Sequence, residues 1–267
     1  MPRANRHYLP GHIWHITHRC HKQEFLLKFA RDKKRWVYWL FEARKRFGLC
    51  VLNYVVTSNH IHLLVYDTEE NTVPRSLQLV AGRTGQEFNV RKRRKGAFWE
   101  DRYHATAVQS GDHFIRCLAY IDLNMVRAGV VAHPSDWEFG GYNEIQNPKT
   151  RYTVTDRKKL MDLLAIESDE TLKAFRRKLI DPILRSKDGK RDGRWTESVA
   201  VGNEEFVKSI HTRLGIRARG ISVIGDRVRE NDIFHLKEAQ SPYGDVFSTK
   251  KAILKAKNSY IWNDNHL

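Results

Sequence analysis

The chain has 267 residues, 41% of them apolar, which suffices for the core of one large domain or two small ones. Lysine and arginine outnumber aspartate and glutamate by 47 to 31, and the net charge of +16 predicts a polyanionic partner such as nucleic acid. No apolar run reaches the ~20 residues of a membrane span, and the N-terminus lacks the apolar core of a signal peptide. We therefore expect a cytoplasmic protein without a membrane partner. Cys20, Cys50 and Cys117 have no zinc-binding or redox spacing and are expected to be reduced.

The first half of the chain alternates strand and helix patterns. Side chains of alternating polarity predict a strand over 11–19, and apolar residues at helical spacing predict an amphipathic helix with a basic outer face over 31–47. Two strands, over 49–56 and 60–66, are expected to form a hairpin through the turn TSN at 57–59.

Three more elements complete the predicted order. A second helix runs over about 74–92 and ends in a basic stretch, a fourth strand covers 98–108, and a third helix covers about 112–128 with Gly129 as its stop. The order β-α-β-β-α-β-α predicts an α+β, ferredoxin-like (RRM-like) sandwich, with an antiparallel sheet and helices on one face.

A polar stretch around residue 148 predicts a domain boundary. Residues 1–147 account for the whole sandwich, and 148–267 are expected to form a mainly helical accessory domain with DNA binding as its candidate role.

The third strand begins with His60-Ile61-His62. Side chains at i and i+2 of a strand project from the same face, so the two imidazoles point together and form half of a metal site. Two half-buried histidines with a purely structural role are the alternative interpretation.

The third helix carries one narrow polar stripe between apolar flanks. At about 100° per residue, His113, Arg116, Tyr120, Asn124 and Arg127 lie close to one line. A helix of this kind packs on both sides of a wet cleft, with Tyr120 and Asn124 as neighbours one turn apart. A structural tyrosine on a solvated face is the other possibility.

Three strings resemble one family, in order and on the predicted elements: SNHIHLLV at 58–65, RYHATAV at 102–108 and YIDLNMVRAGVV at 120–131. They are similar to the REP-associated tyrosine transposases, the insertion-sequence branch of the HUH (His-hydrophobic-His) nucleases with one catalytic tyrosine. The resemblance covers about residues 1–145. The chain departs from the usual pattern in having methionine rather than proline after Asn124.

The resemblance implies a site and a reaction. Tyr120 matches the nucleophile, and His60, His62 and Asn124 match the ligands of a divalent metal, Mg²⁺ or Mn²⁺. The implied reaction is transposition by cutting and rejoining single-stranded DNA beside a hairpin, through a 5′-phosphotyrosine. Tyr103, on the fourth strand, is the second choice for the nucleophile.

Basic residues supply candidate DNA contacts. The candidates are Arg19, Arg102, Arg116, Arg127, Arg91, Lys92, Arg93 and Arg94. Trp14, Trp99 and Tyr103 could stack on bases, although core packing is the favoured interpretation for each of them. The sequence leaves open whether the protein is a monomer or a homodimer.

Two other functional classes remain possible. One is a non-catalytic DNA- or RNA-binding protein, including an inactivated or domesticated transposase; its sheet would be expected to expose aromatic residues where this chain has His60 and His62. The other is a metal-dependent hydrolase, which needs a carboxylate near the histidines. Asp122 is expected to point away from them.

Overall fold

A computed structural model describes residues 9–186, 191–215, 220–226 and 233–238. Over these ranges the chain forms seven strands and nine α-helices. The strands are β1 (Ile13–Arg19), β2 (Cys50–Val56), β3 (His60–Tyr66), β4 (His104–Val108), β5 (Ala200–Gly202), β6 (Ile221–Asp226) and β7 (Ile233–Glu238). The helices are α1 (Ala30–Phe47), α2 (Thr72–Arg91), α3 (Asp112–Asp122), α4 (Asn124–Arg127), α5 (Gly141–Gln146), α6 (Arg157–Leu164), α7 (Asp169–Ser186), α8 (Arg194–Glu197) and α9 (Glu204–Leu214).

The first four strands form the predicted ferredoxin-like sheet. They lie in the order β2-β3-β1-β4 with all pairs antiparallel, and β2 and β3 form the expected hairpin. The α+β class is therefore confirmed. The fourth strand is shorter than predicted, because it begins at His104; before it, Trp99 makes an isolated bridge to Cys20.

Helices cover both faces of the sheet, whereas one helical layer was expected. The predicted layer exists, since α1 and α2 bury Trp36, Leu40 and Leu77 against one face. On the opposite face, α3 buries Phe114 and Leu118 together with side chains of α6 and α7. All seven residues of β2 are buried in consequence, which is typical of a strand covered on both sides.

The third helix is interrupted close to its polar stripe. The α3 helix ends at Asp122, and the short α4 helix begins at Asn124. Leu123, between them, has φ −78° and ψ 3°, a conformation that ends a regular helix without reversing the chain. The side chains of Tyr120 and Asn124 therefore still point into the same cleft.

The second half of the chain extends the sheet. Strand β5 pairs in parallel with β4 at Ala107↔Ala200, and β7 and β6 follow it to give the order β2-β3-β1-β4-β5-β7-β6. The four helices α6–α9 agree with the helical content predicted for this half. The three strands β5–β7 were not predicted. In the part that the structure describes, the proposed accessory domain is thus continuous with the sheet of the first domain. Its last residues, 239–267, lie outside the described ranges.

Two further expectations concern the whole chain. All three cysteines are buried and free of disulfides. None of the helices described is long and apolar enough to cross a membrane.

Candidate active site

The two histidines of β3 open into a cleft of about 580 Å³ beneath α3 and α4. Polar and basic side chains from both halves of the chain surround it. They are Thr17, Arg19, Gln23, Asn59, His60, His62, Tyr120, Asn124, Arg127, Arg191 and Thr196. The register of the sheet explains part of this grouping, because Thr17 lies opposite His62 and Arg19 opposite His60 on the antiparallel pair β1–β3.

His60 is held by the turn that precedes its strand. Its Nδ1 lies 2.7 Å from Oδ1 of Asn59 and 3.0 Å from Oγ1 of Thr57. An amide oxygen only accepts hydrogen bonds, so Nδ1 of His60 carries the proton and Nε2 keeps its lone pair. Burial, reinforced by the charges of Arg19 and Arg191, lowers the pKa of His60 to about 4. The ring is therefore neutral at pH 7.

His62 is buried and hydrogen-bonded at both ring nitrogens. Its Nδ1 lies 2.9 Å from Nε2 of His15, and its Nε2 lies 3.0 Å from Nδ2 of Asn124. Nδ1 of His15 in turn lies 2.8 Å from the carbonyl oxygen of Trp195. Burial is the main reason why the pKa of His62 lies well below 6.5, with the neighbouring His60 as the next cause. The pKa of His15 is lowered to about 3, again chiefly by burial.

These side chains have the chemistry of a divalent-metal site. Neutral imidazole nitrogens bind such metals, and Nε2 of His62 accepts a hydrogen bond from Asn124, so its lone pair faces the cleft. A half-turn of the Asn124 amide would present Oδ1 in place of Nδ2, since the two ends of an amide have the same shape. Among the described residues, no group of three or more His, Cys, Asp or Glu side chains is arranged to hold a metal. A site here therefore depends on the amide of Asn124.

Tyr120 lies at the edge of both central histidine rings. Its ring centroid is 5.8 Å from that of His62 and 6.0 Å from that of His15, with the planes nearly perpendicular. The guanidinium of Arg127 lies 4.2 Å from the Tyr120 ring centroid and donates a hydrogen bond of 2.7 Å to the Tyr120 carbonyl. Burial raises the pKa of the phenol, and the positive charges of Arg127 and Arg191 act against that rise.

Three of the predicted DNA-contacting arginines differ in their relation to the cleft. Arg19 and Arg127 line it, at the end of β1 and on α4. Arg116 lies on α3 but outside the cleft lining, and His113 of the same predicted stripe is also outside it. The stripe therefore contributes Tyr120, Asn124 and Arg127 to the site.

The basic stretch after α2 lies elsewhere. Arg91 forms an ion pair with Asp32 of α1, Arg94 lies 3.5 Å from the Glu24 carboxylate, and the Lys92 ammonium is 5.4 Å from the Phe29 ring centroid. Arg93, in the following turn, has a positive φ of 48°. Since α2 packs on the sheet face opposite α3, contacts between this stretch and DNA remain a prediction.

The second candidate nucleophile is not in the cleft. Tyr103 is buried and lies with Arg102 along a separate cavity that His18 and Trp99 also line. Trp99 stacks on His18 at 4.1 Å between ring centroids, and Trp14 is fully buried in the core. Of the two tyrosines considered from the sequence, Tyr120 alone lines the cleft with the histidine pair.

Sequence reasoning missed several contributors to the site, which include Thr17, Gln23 and Asn59 of the cleft lining as well as His15, Arg191 and Thr196. His15 shares a face of β1 with Thr17 and Arg19, and this alternation is visible in the sequence, but the sequence does not reveal the register that brings His15 to His62. Arg191 comes from a stretch that the sequence presents as a polar loop, and Thr196 comes from α8, in which no residue signals catalysis.

Comparison with known proteins supports the resemblance. Residues 9–124 match the family model described as IS200-like transposases. The matched part of the chain, which contains His60, His62, Tyr120 and Asn124, is similar to the IS200-like transposases. This similarity agrees with the resemblance that the sequence motifs indicated.

Two solved structures align with part of this chain. A REP-associated tyrosine transposase bound to a REP hairpin aligns with 18% identity and a TM-score of 0.46, over 58% of this chain and 94% of that one. A candidate transposase from Deinococcus radiodurans R1 aligns with 15% identity and a TM-score of 0.31, over 48% and 97% of the two chains. Among curated proteins, none is significantly similar to this chain.

Proposed function

We propose that this protein is a transposase that cuts and rejoins single-stranded DNA beside a hairpin, with Tyr120 as the nucleophile. The observation that carries the proposal is the meeting of Tyr120 with His60, His62 and Asn124 in one cleft. A tyrosine next to two imidazoles that can hold a metal supplies a nucleophile and a place for a Lewis acid, which together suit attack on a phosphodiester.

The reaction forms one bond and breaks one. Oη of Tyr120, as phenolate, attacks the phosphorus and forms a 5′-phosphotyrosine while the bond from phosphorus to the 3′-oxygen breaks. The phenol releases its proton before attack and the departing 3′-oxygen takes one up, so the proton count balances. Because the phosphotyrosine keeps a high-energy ester bond, attack by another 3′-hydroxyl rejoins strands without ATP.

The proposed metal ligands and the arginine side chains have different roles toward the phosphate. His60, His62 and Asn124 would hold Mg²⁺ or Mn²⁺, which when bound polarises a phosphate oxygen. Arg19, on β1, and Arg191, before α8, bring positive charge to the same cleft and suit the phosphate of a single strand. A free phenol has a pKa near 10, so Arg127 and Arg191 also favour the phenolate that attacks.

Hydrolysis by an activated water is a weaker alternative. A general base for water is typically a carboxylate, and within the described residues no aspartate or glutamate lines the cleft. The carboxylate of Asp122 is buried and pairs with Arg176 instead. The tyrosine route therefore accounts better for the side chains that are present.

A covalent-adduct assay tests the proposal. The full chain is incubated with Mn²⁺ and an end-labelled single-stranded DNA hairpin carrying single-stranded flanks, and the products are separated on a denaturing gel. We expect a slow-migrating adduct with the original protein and none with Tyr120→Phe. Tyr103→Phe is the matched control and should keep the adduct, because Tyr103 lies outside the cleft.

Two results would contradict the proposal. An adduct that survives Tyr120→Phe and disappears in Tyr103→Phe would move the nucleophile to the other tyrosine. Tight hairpin binding with no cleavage by the original protein would favour a DNA-binding role without catalysis.

A further inference from the structure

A chain of hydrogen bonds leads from His62, in the proposed metal-binding pair of the cleft, into the interior of the protein. The chain runs from Asn124 to His62, from His62 to His15 and from His15 to the carbonyl oxygen of Trp195. The distances are 3.0, 2.9 and 2.8 Å, all within the normal range for hydrogen bonds. His62 and His15 are both buried, so these contacts are made away from bulk water.

The carbonyl at the inner end sets the direction of every bond. A carbonyl oxygen only accepts, so Nδ1 of His15 must carry a proton. In a neutral ring Nε2 then has a lone pair, and it must accept from Nδ1–H of His62. Nε2 of His62 is left without a proton and accepts from the amide of Asn124.

We infer that His15 is a positioning residue, which holds His62 in the Nδ1–H tautomer so that Nε2 faces the cleft as a metal ligand. The inference rests on the proposed function for the meaning of that ligand. The ring planes of the two histidines lie within 17° of each other with centroids 5.1 Å apart, so His15 restricts the orientation of His62 as well as its proton. Partners of this type orient metal-binding histidines, and their loss typically lowers metal affinity by about 10–100-fold.

The carbonyl of Trp195, at which this series of hydrogen bonds ends, lies outside the residues that match the family model. Residues 9–124 contain His15, His62 and Asn124, whereas Trp195 belongs to α8 in the second half of the chain. The hydroxyl of Thr106 on β4 donates to the Ser198 carbonyl at 2.6 Å and lies 3.3 Å from the Trp195 carbonyl, so β4 holds this segment beside His15. The second half of the chain therefore contributes directly to the order of the metal site.

Nitrogen NMR of the metal-free protein tests the tautomer directly. With ¹⁵N-labelled histidine, we expect His62 to show a protonated Nδ1 and an unprotonated Nε2. His15→Phe removes the acceptor and should give His62 a mixture of tautomers. His15→Gln places an amide between the same two partners and should restore the original pattern in large part. His104→Phe changes a neighbouring histidine that bonds to Ser198, and it should leave His62 unaffected.

Mn²⁺ titration, followed by the loss of the free-ion EPR signal, gives the second measurement. We expect His15→Phe to lower Mn²⁺ affinity by about 10–100-fold and His15→Gln to recover most of it. A His62 ring protonated at Nε2 in the original protein, or an unchanged tautomer in His15→Phe, would overturn the inference. Failure of the original protein to bind Mn²⁺ would contradict the metal role in the proposed function, whereas the metal-free spectrum decides the role of His15 by itself.

Discussion

Arg176 of α7 donates a hydrogen bond to the carboxylate of Asp122 at the end of α3, and both side chains are buried. The other carboxylate oxygen accepts from Nδ2 of Asn53 at 2.8 Å. Asp122 lies two residues after Tyr120 and two before Asn124, on the far side of the helix. The ion pair thus fixes the back of the segment that presents the proposed nucleophile, and it does so with a helix from the second half of the chain.

This pair predicts a large effect on stability. Arg176→Leu leaves a buried carboxylate without its cation, and we expect the free energy of unfolding to fall by about 3–5 kcal/mol. The double variant Asp122→Asn with Arg176→Leu removes the buried charge and should recover part of that loss. Urea denaturation measures both. Arg177→Leu, at the exposed neighbouring position, is the control and should change stability by less than about 1 kcal/mol.

A second prediction concerns Arg191 and the pH dependence of the reaction. Removing this cation in Arg191→Gln takes away a charge that lowers the pKa of Tyr120, so the pKa of the phenol rises. Below that pKa the phenolate fraction falls about tenfold for each unit of increase, and the rate of adduct formation should decline while its rise with pH moves to higher pH.

Single-turnover rates between pH 6 and 9 measure this shift. Arg194→Gln is the matched control, since Arg194 pairs with Asp192 and does not line the cleft. An identical pH profile for Arg191→Gln and the original protein would show that Arg191 does not act on the phenol.

A third prediction concerns the metal ligands. EDTA should stop adduct formation, and excess Mn²⁺ should restore it in the original protein. His62→Ala loses a proposed ligand and should form the adduct at least about 100-fold more slowly at saturating Mn²⁺. His113→Ala changes a histidine outside the cleft and should keep the original rate. Equal rates for the two variants would exclude His62 as a ligand.

Asp67, just after β3, predicts a pH-dependent stability that is separate from the site. Its side chain is 2% exposed, and burial raises its pKa to about 6. Between the unfolded pKa of about 3.9 and this value, the folded protein keeps a proton that the unfolded chain has lost. Stability therefore decreases as pH rises through this window and stays reduced above it.

The variant Asp67→Asn removes the buried charge and should be more stable than the original protein at pH 8. The gain should be about 1–2 kcal/mol, below the ~3 kcal/mol that a shift of about two pH units allows at most, and it should shrink towards pH 4. Asp162→Asn makes the same change of charge at an exposed position and should alter stability by less than about 0.5 kcal/mol. Equal gains for both variants would point to net charge instead of burial.

The sequence predicted the elements of the first half well, because each has a local signal. The alternation in β1 and the helical spacing of α1 depend only on neighbours in the chain. The sequence of β2 does not alternate between polar and apolar residues, and Asn53 is its one strongly polar residue. A strand of this kind is typical of a sheet that helices cover on both faces. The meaning of this pattern is clear only after α3 is known to pack over the strand.

Contacts between distant residues were beyond sequence reasoning. His15 and Trp195 are separated by 180 positions, and no local pattern predicts that a backbone carbonyl of α8 meets β1. The partners of the basic stretch at the end of α2 were also not predictable. Arg91 and Arg94 pair with the carboxylates of Asp32 and Glu24, which lie far away in the sequence.

The contact between His15 and the carbonyl of Trp195 has a consequence for the newly made protein. During translation at about 5–20 residues per second, the ribosome adds Trp195 roughly 4–14 seconds after Asn124. During that interval the nascent chain already contains the proposed nucleophile and metal ligands, but His15 still lacks its carbonyl partner. The proposed site therefore reaches its final geometry late in synthesis, after α8 has been added.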